Sequence, residues 1–138
     1  MIEMRPAAAT DAAAVLALWR GAESVVTVTD DMAAIEMLIA HDRDALIVAE
    51  ADGEIVGSVV GAWDGWRGEI YRLAVAPSHR RQGLANRLLD AAFDSLHRRG
   101  ARRIACIVVA DDVLARGFWD ASVFEAQTKR VRYVHPPD

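Results

Sequence analysis

The sequence predicts one mixed α/β domain over residues 1–138, a mostly antiparallel central sheet flanked by helices. Three observations predict it. Two helix-period segments come first, a run of closely spaced strands joined by Asp-Gly turns follows, and a strand–helix–strand sequence comes last. A chain of 138 residues with 53% hydrophobic and 26% charged residues is the size of one domain and can build a real core. No internal repeat, low-complexity tract or linker interrupts it.

Taken in order, Ile2 to Arg5 is a short strand candidate that Pro6 ends. Thr10 or Asp11 is placed to cap the next helix, whose apolar stripe is Val15, Leu16, Leu18 and Trp19. Val25 to Thr29 is β-branched but short and reads as irregular. Asp30 or Asp31 then caps a second helix with Ile35, Leu38 and Ile39 on its buried face, and the polar run His41 to Asp44 ends it. Ala45 to Glu50 is an apolar strand, and Asp52-Gly53 is a two-residue hairpin signal. Glu54 to Trp63 returns, with Gly57 and Gly61 as candidate bulges or close approaches. Asp64-Gly65 turns again into a strand from Gly68 to Ala76, closed by Pro77. Leu84, Leu88, Leu89, Ala92, Phe93 and Leu96 follow helical spacing up to Gly100. Arg103 to Val109 reads as a buried strand, Val113 to Trp119 as a short helix, and Lys129 to His135 as a final strand.

The net charge of −4 argues against sequence-independent nucleic-acid binding. Arginine doublets at Arg80-Arg81, Arg98-Arg99 and Arg102-Arg103 still allow local anion binding, although such doublets are commonly solvated helix ends. The single cysteine, Cys106, excludes an internal disulfide and a thiolate metal cluster, and its apolar neighbours predict that it packs as a small hydrophobe. His41, His79, His97 and His135 lack ligand spacing, so no metal is expected. Neither a signal peptide nor a run of ~20 apolar residues is visible, and the expectation is a cytoplasmic protein without membrane contact.

The most informative stretch is Arg80-Arg81-Gln82-Gly83-Leu84-Ala85. A glycine-containing turn that opens a helix presents backbone N–H groups without intrahelical partners, and the helix dipole adds positive potential there. Arginines beside it suit a pyrophosphate. Neither a Walker loop nor a G-x-G-x-x-G fingerprint is present, and on six residues alone a surface helix start explains the pattern nearly as well.

The preceding strand changes that balance. Tyr71-Arg72-Leu73-Ala74-Val75-Ala76-Pro77 followed by Arg80 to Ala85 closely resembles the acetyl-CoA motif of the GNAT N-acetyltransferase superfamily: leucine-x-valine-x-proline, then [QR]-x-x-G-x-[GA]. The order of elements also resembles that family's layout across nearly the whole chain, and the small size and the Asp64–Gly68 loop resemble small bacterial members. The resemblance implies a sheet with splayed strands and a V-shaped gap in which acetyl-CoA lies. It implies that Leu73, Ala74 and Val75 run along the pantetheine arm. Backbone N–H groups of Arg81, Gln82, Gly83, Leu84, Ala85 and Asn86, with Arg80 beside them, would hold the pyrophosphate. A backbone N–H near Leu73 would polarise the thioester carbonyl.

Transfer to an amine requires removal of a proton from an ammonium of pKa about 10. The resemblance places Glu69 where some members carry a general-base carboxylate, although a solvated hairpin residue fits as well; Asp64 reads as a turn residue. The acid departs from the pattern. Where many members carry a tyrosine in the late helix, this chain has Trp119 in Ala115-Arg116-Gly117-Phe118-Trp119, with Val123 in place of a glycine and Asp112 in place of an asparagine. An indole N–H only donates, so Trp119 would line the cofactor site and could not reprotonate the sulfur. Tyr71 or Tyr133 could substitute, or solvent could protonate the thiolate.

Two readings follow: an N-acetyltransferase acting on a primary amine of a small molecule or peptide, or a catalytically weak acetyl-CoA-binding module. Acceptor pockets in this family are built by the first helices and late loops, where Glu23, Asp30 and Asp31 hint at a cationic substrate. Family members commonly dimerise, and the final strand offers an edge.

Overall fold

The structure is a computed structural model describing residues 1–22 and 27–136. Glu23, and the Val25–Val26 part of the segment read as irregular, lie outside the described residues. The chain divides into two compact units, Met1–Ala105 and Cys106–Asp138.

The first unit begins with β1 (Ile2–Pro6), a 3-10 turn (Ala9–Asp11), α1 (Ala12–Gly21) and α2 (Met32–His41). It continues with β2 (Leu46–Ala51), β3 (Glu54–Trp63), β4 (Gly68–Val75), a second 3-10 turn (Pro77–His79) and α3 (Leu84–Arg98). β5 (Ile104–Cys106) completes a sheet whose strands lie in sequence order. The first four strands are antiparallel neighbours, so the expected meander is present.

Each face of the sheet is covered for a reason visible in the residues. Residues alternate across a strand. On one face α1 and α2 bury Val15, Leu16, Leu18, Trp19, Ile35 and Ile39 against Leu46, Val48 and Val60. On the other face glycines make room for α3. A Cβ at Gly57 would lie 2.8 Å from Leu88 Cδ1, and one at Gly68 would lie 2.9 Å from Leu96 Cδ1. The close approach expected at Gly57 is therefore real. Leu88 and Leu96 are fully buried there, each contributing roughly 1.5–3 kcal/mol.

The caps divide unevenly. Asp31 caps α2 by accepting from the Ala34 N–H at 2.7 Å. Asp11 stands at the N-cap of α1 but does not cap it: its carboxylate accepts from Ala8 N–H at 2.7 Å and pairs with Arg5. That pairing holds the Asp11 carboxyl below its usual range, with the Arg5 hydrogen bond as the main cause.

Considered by itself, the second unit carries α4 (Val113–Asp120), which Asp112 caps through Ala115 N–H at 3.0 Å. Two sequence expectations fail in this part of the chain. β5 stops at Cys106, which is half-buried, while Ile107 and Val109 are exposed; a short apolar run does not by itself specify a long buried strand. The strand expected from Lys129 to His135 is absent among the described residues, and Val131 and Tyr133 are 77% and 94% exposed. Apolar residues such as Val131 and Tyr133 form a strand only where a neighbouring ladder receives them, and among the described residues this segment pairs with none.

Candidate active site

The first feature is a bulge in β4. Ser58 faces Ala74 and Val60 faces Tyr71, so Arg72 and Leu73 together occupy the place opposite Val59. Arg72 adopts φ +50°, a left-handed conformation that costs a non-glycine residue about 1–2 kcal/mol. Three side chains oppose that cost. Trp19 Nε1–H donates to Ser58 Oγ at 2.9 Å, and Ser58 Oγ–H donates to the Arg72 carbonyl at 3.0 Å. The Arg72 guanidinium pairs with Asp30 and lies over the Trp19 ring, 5.3 Å from its centroid. Beyond the bulge Ala74 is buried, while Leu73 and Val75 are half-buried.

The second feature is the turn after β4. Ala76 N–H bonds back to the Val56 carbonyl at 2.8 Å, and Pro77–His79 form the 3-10 turn. Arg81 and Gly83 then take φ +63° and +75°, and α3 starts at Leu84. Arg81, Gln82, Gly83 and Asn86 are exposed, Ala85 is half-buried and Leu84 is buried. Among the described residues nothing crowds the position where a Gly83 Cβ would stand. The turn that opens α3 is thus exposed at Arg81, Gln82 and Gly83, the placement that suits an anion at a helix N-terminus. Arg80 differs from the expectation for its side chain. Its guanidinium reaches the Val75 carbonyl at 3.3 Å and the Ala22 carbonyl at 3.4 Å, bracing the turn. His79 shares a 2.8 Å hydrogen bond with Ser78 Oγ.

The third feature is a cleft of about 270 Å³ on the α1–α2 side of the sheet. Glu69 and Tyr71, two apart on β4 and so on one face, line it with His41, Trp63 and Arg67. Glu69 is half-buried and Tyr71 is exposed. Asp64 borders the cleft as a turn residue. It accepts from the N–H groups of Arg67 at 2.7 Å and Trp66 at 2.8 Å, and those bonds hold its carboxyl below the usual range. A larger hollow of about 480 Å³ lies elsewhere, by Asp11, Glu50 and Glu54. Two of those carboxylates are already paired with Arg5, and the hollow touches the motif only at Ala76 and Pro77.

Other sequence candidates are placed differently. Asp30 pairs with Arg72 and Asp31 caps α2, so both carboxylates have partners within the protein. In the second unit Trp119 packs edge-to-face with Phe118 and Phe124, at centroid distances of 5.2 and 4.9 Å. Ser58 and Arg72 were not singled out as site residues by sequence, and Trp19 was read only as core. The available signal was Ser58 itself, a lone hydroxyl among Val56, Val59 and Val60, since a buried polar group requires a partner.

The strand bulge, the left-handed turn and the helix start together make an anion-compatible site, and comparison with known proteins gives the family. Residues 12–122 match the Acetyltransferase (GNAT) family. The chain is 36% identical over 124 residues to an acetyltransferase of Pectobacterium atrosepticum, covering 90% of this chain and 88% of that one. An acetyltransferase of Sodalis glossinidius is 34% identical over 113 residues, covering 82% and 80%. Among solved structures, the diaminobutyrate acetyltransferase of Paenibacillus lautus, in complex with L-2,4-diaminobutyric acid and coenzyme A, superposes with a TM-score of 0.72 at 26% identity. That match covers 87% of this chain and 75% of that one. Ard1 of Thermoplasma volcanium shares the fold, with a TM-score of 0.77 at 21% identity over 86% of this chain and 79% of its own. The chain belongs to the GNAT acetyltransferase family and is an N-acetyltransferase.

Proposed function

We propose that this protein transfers the acetyl group of acetyl-CoA to a primary amine of a small molecule or peptide, by direct attack with both substrates bound. The β4 bulge followed by the left-handed turn at Arg81 and Gly83 carries this reading. The residues present fit acetyl-CoA, because the open N-terminus of α3 and the exposed Arg81 suit a pyrophosphate. Backbone N–H groups of Arg81, Gln82, Gly83, Leu84, Ala85 and Asn86 hold it, and Arg80 braces the turn from behind. The backbone of Leu73, Ala74 and Val75 bonds the pantetheine arm.

At the reacting end the Leu73 N–H donates to the thioester oxygen, where negative charge develops. Glu69 accepts the proton that the amine sheds, directly or through a water, as the C–N bond forms and the C–S bond breaks. Solvent protonates the departing thiolate, whose pKa of about 8.5 for a comparable thiol makes it a tolerable leaving group, and the indole of Trp119, standing where the family pattern carries a tyrosine, offers no acid. Tyr71, beside Glu69 in the cleft, helps shape the acceptor site. The small cleft and the diaminobutyrate-binding neighbour favour a small diamine as the first acceptor to test. A lone cysteine suits a reducing compartment, so the reading places the protein in the cytoplasm.

The test is thiol release from acetyl-CoA across a panel of amines, small diamines included. Turnover with at least one acceptor is expected. Tight acetyl-CoA binding with no turnover on any amine would establish the competing reading, a binding module, which the replacement of tyrosine by Trp119 favours.

A further inference from the structure

We infer that Ser58, oriented by Trp19, is a positioning residue for the reaction: it aims and strengthens the Leu73 N–H by holding the carbonyl of the same peptide unit. The inference rests on the assignment of that N–H to the thioester oxygen.

The argument begins with what each group can do. An indole N–H only donates, and a serine hydroxyl has one hydrogen to give. Trp19 Nε1–H donates to Ser58 Oγ at 2.9 Å, so the serine's own hydrogen is left for its other neighbour, the Arg72 carbonyl at 3.0 Å. Ser58 is fully buried and Trp19 is 6% exposed, so water does not compete for either bond. The hydroxyl is thereby prevented from rotating.

The Arg72 carbonyl and the Leu73 N–H belong to one planar trans peptide, and they point in opposite directions. Pulling the carbonyl toward Ser58 on β3 turns the N–H to the opposite side, away from β3. The bond also polarises the peptide, because a carbonyl that accepts a hydrogen bond makes the attached N–H a better donor. The rest of the arrangement opposes relaxation. Arg72 sits at φ +50°, and its guanidinium is held by Asp30 and by the face of the same Trp19. Strain that neighbouring side chains over-determine in this way is commonly found where a group must be pre-aimed. The pattern in the residues is a hydroxyl on β3 directly behind the bulge of β4, and an indole on α1 behind the hydroxyl.

The experiment uses acetyl-CoA labelled with ¹³C at the thioester carbonyl and infrared difference spectra of its complexes with wild type, Ser58→Ala and Trp19→Phe. The bound carbonyl stretch is expected to move to lower frequency in wild type, return toward the free value in Ser58→Ala, and return partway in Trp19→Phe. Affinity for CoA itself, which has no carbonyl at that place, should stay within about twofold of wild type. Thiol release should fall by about tenfold in Ser58→Ala with the KM for acetyl-CoA little changed, less than the ~10²–10³ lost when a whole donor is removed. A role confined to folding would shift melting temperature without moving the carbonyl band. An unchanged band in folded Ser58→Ala overturns the inference. Should that variant fail to fold, Trp19→Phe, which keeps an aromatic side chain but loses the N–H donor, decides in its place: an unchanged band overturns the inference and a partial return supports it. A wild-type complex with no band shift, together with undiminished CoA affinity in Gly83→Glu, overturns the site assignment and the inference with it. An unchanged band in Ser58→Ala beside lost CoA affinity in Gly83→Glu overturns the inference alone.

Discussion

Two arginines of the first unit stand in the same disfavoured backbone region and are treated in opposite ways. Arg72 in the β4 bulge is tied down by Asp30, Trp19 and Ser58, whereas Arg81 in the turn before α3 is exposed. The first position must hold one peptide unit in one direction. On the proposed function the second leaves N–H groups open to a ligand that brings its own charge. Rigidity at the proposed reacting end and openness at the proposed anchoring end are two different uses of the left-handed conformation, about ten residues apart on one strand–turn–helix.

Breaking the reacting end should have the largest effect. Glu69→Gln should lower kcat by about a hundredfold while leaving the affinity for CoA unchanged, in keeping with the ~10²–10⁴ that a general base contributes. Steady-state kinetics with the best amine checks it; a loss confined to KM for acetyl-CoA would count against the role. Asp30→Asn comes next. It removes the Asp30 carboxylate from Arg72 at a site where the two side chains are 17% and 7% exposed. It should cost roughly 1.5–3 kcal/mol, measured by urea unfolding. The same exchange at Asp31 removes only the charge of the α2 cap, since an asparagine caps as well, and should change stability by a few tenths of a kcal/mol.

How much of this was legible in advance differs between the two features. The turn was readable because its chemistry is local: Gly83, its flanking arginines and the helix start at Leu84 are adjacent in sequence, and the observed helix begins there. The meander was readable for the same reason, since Asp52-Gly53 and Asp64-Gly65 carry the turns, with φ +81° and +92° at the glycines. The bulge was not. It depends on Trp19, Ser58 and Asp30, which meet Arg72 only through tertiary packing, and no periodicity reports such a meeting. The strand expected at Lys129–His135 failed in the converse way, because strand-favouring residues such as Val131, Tyr133 and Val134 cannot guarantee a ladder to pair with.

The smallest effect belongs to the pH response of the β1 end. The Asp11 carboxyl lies below its ordinary value of 3.8 because it accepts from Arg5. A depressed carboxyl contributes stability that is fully present above its unfolded pKa and is lost as pH falls through the folded one. Asp11→Asn should therefore flatten the dependence of unfolding free energy on pH below about 4, by less than the loss at Asp30 because the pair is partly exposed. Acid titrations of both proteins in urea would show it, and identical slopes would remove Asp11 from the account.

The contrast between the two arginines is tested most directly by titrating CoA calorimetrically into wild type, Gly83→Glu and Ser58→Ala. A glutamate at Gly83 sets a carboxylate and a side chain at φ +75° into the open mouth of the turn. The account predicts at least about a hundredfold loss of affinity in Gly83→Glu, equivalent to about 2.8 kcal/mol, with Ser58→Ala binding as wild type does. Undiminished CoA affinity in Gly83→Glu would contradict it.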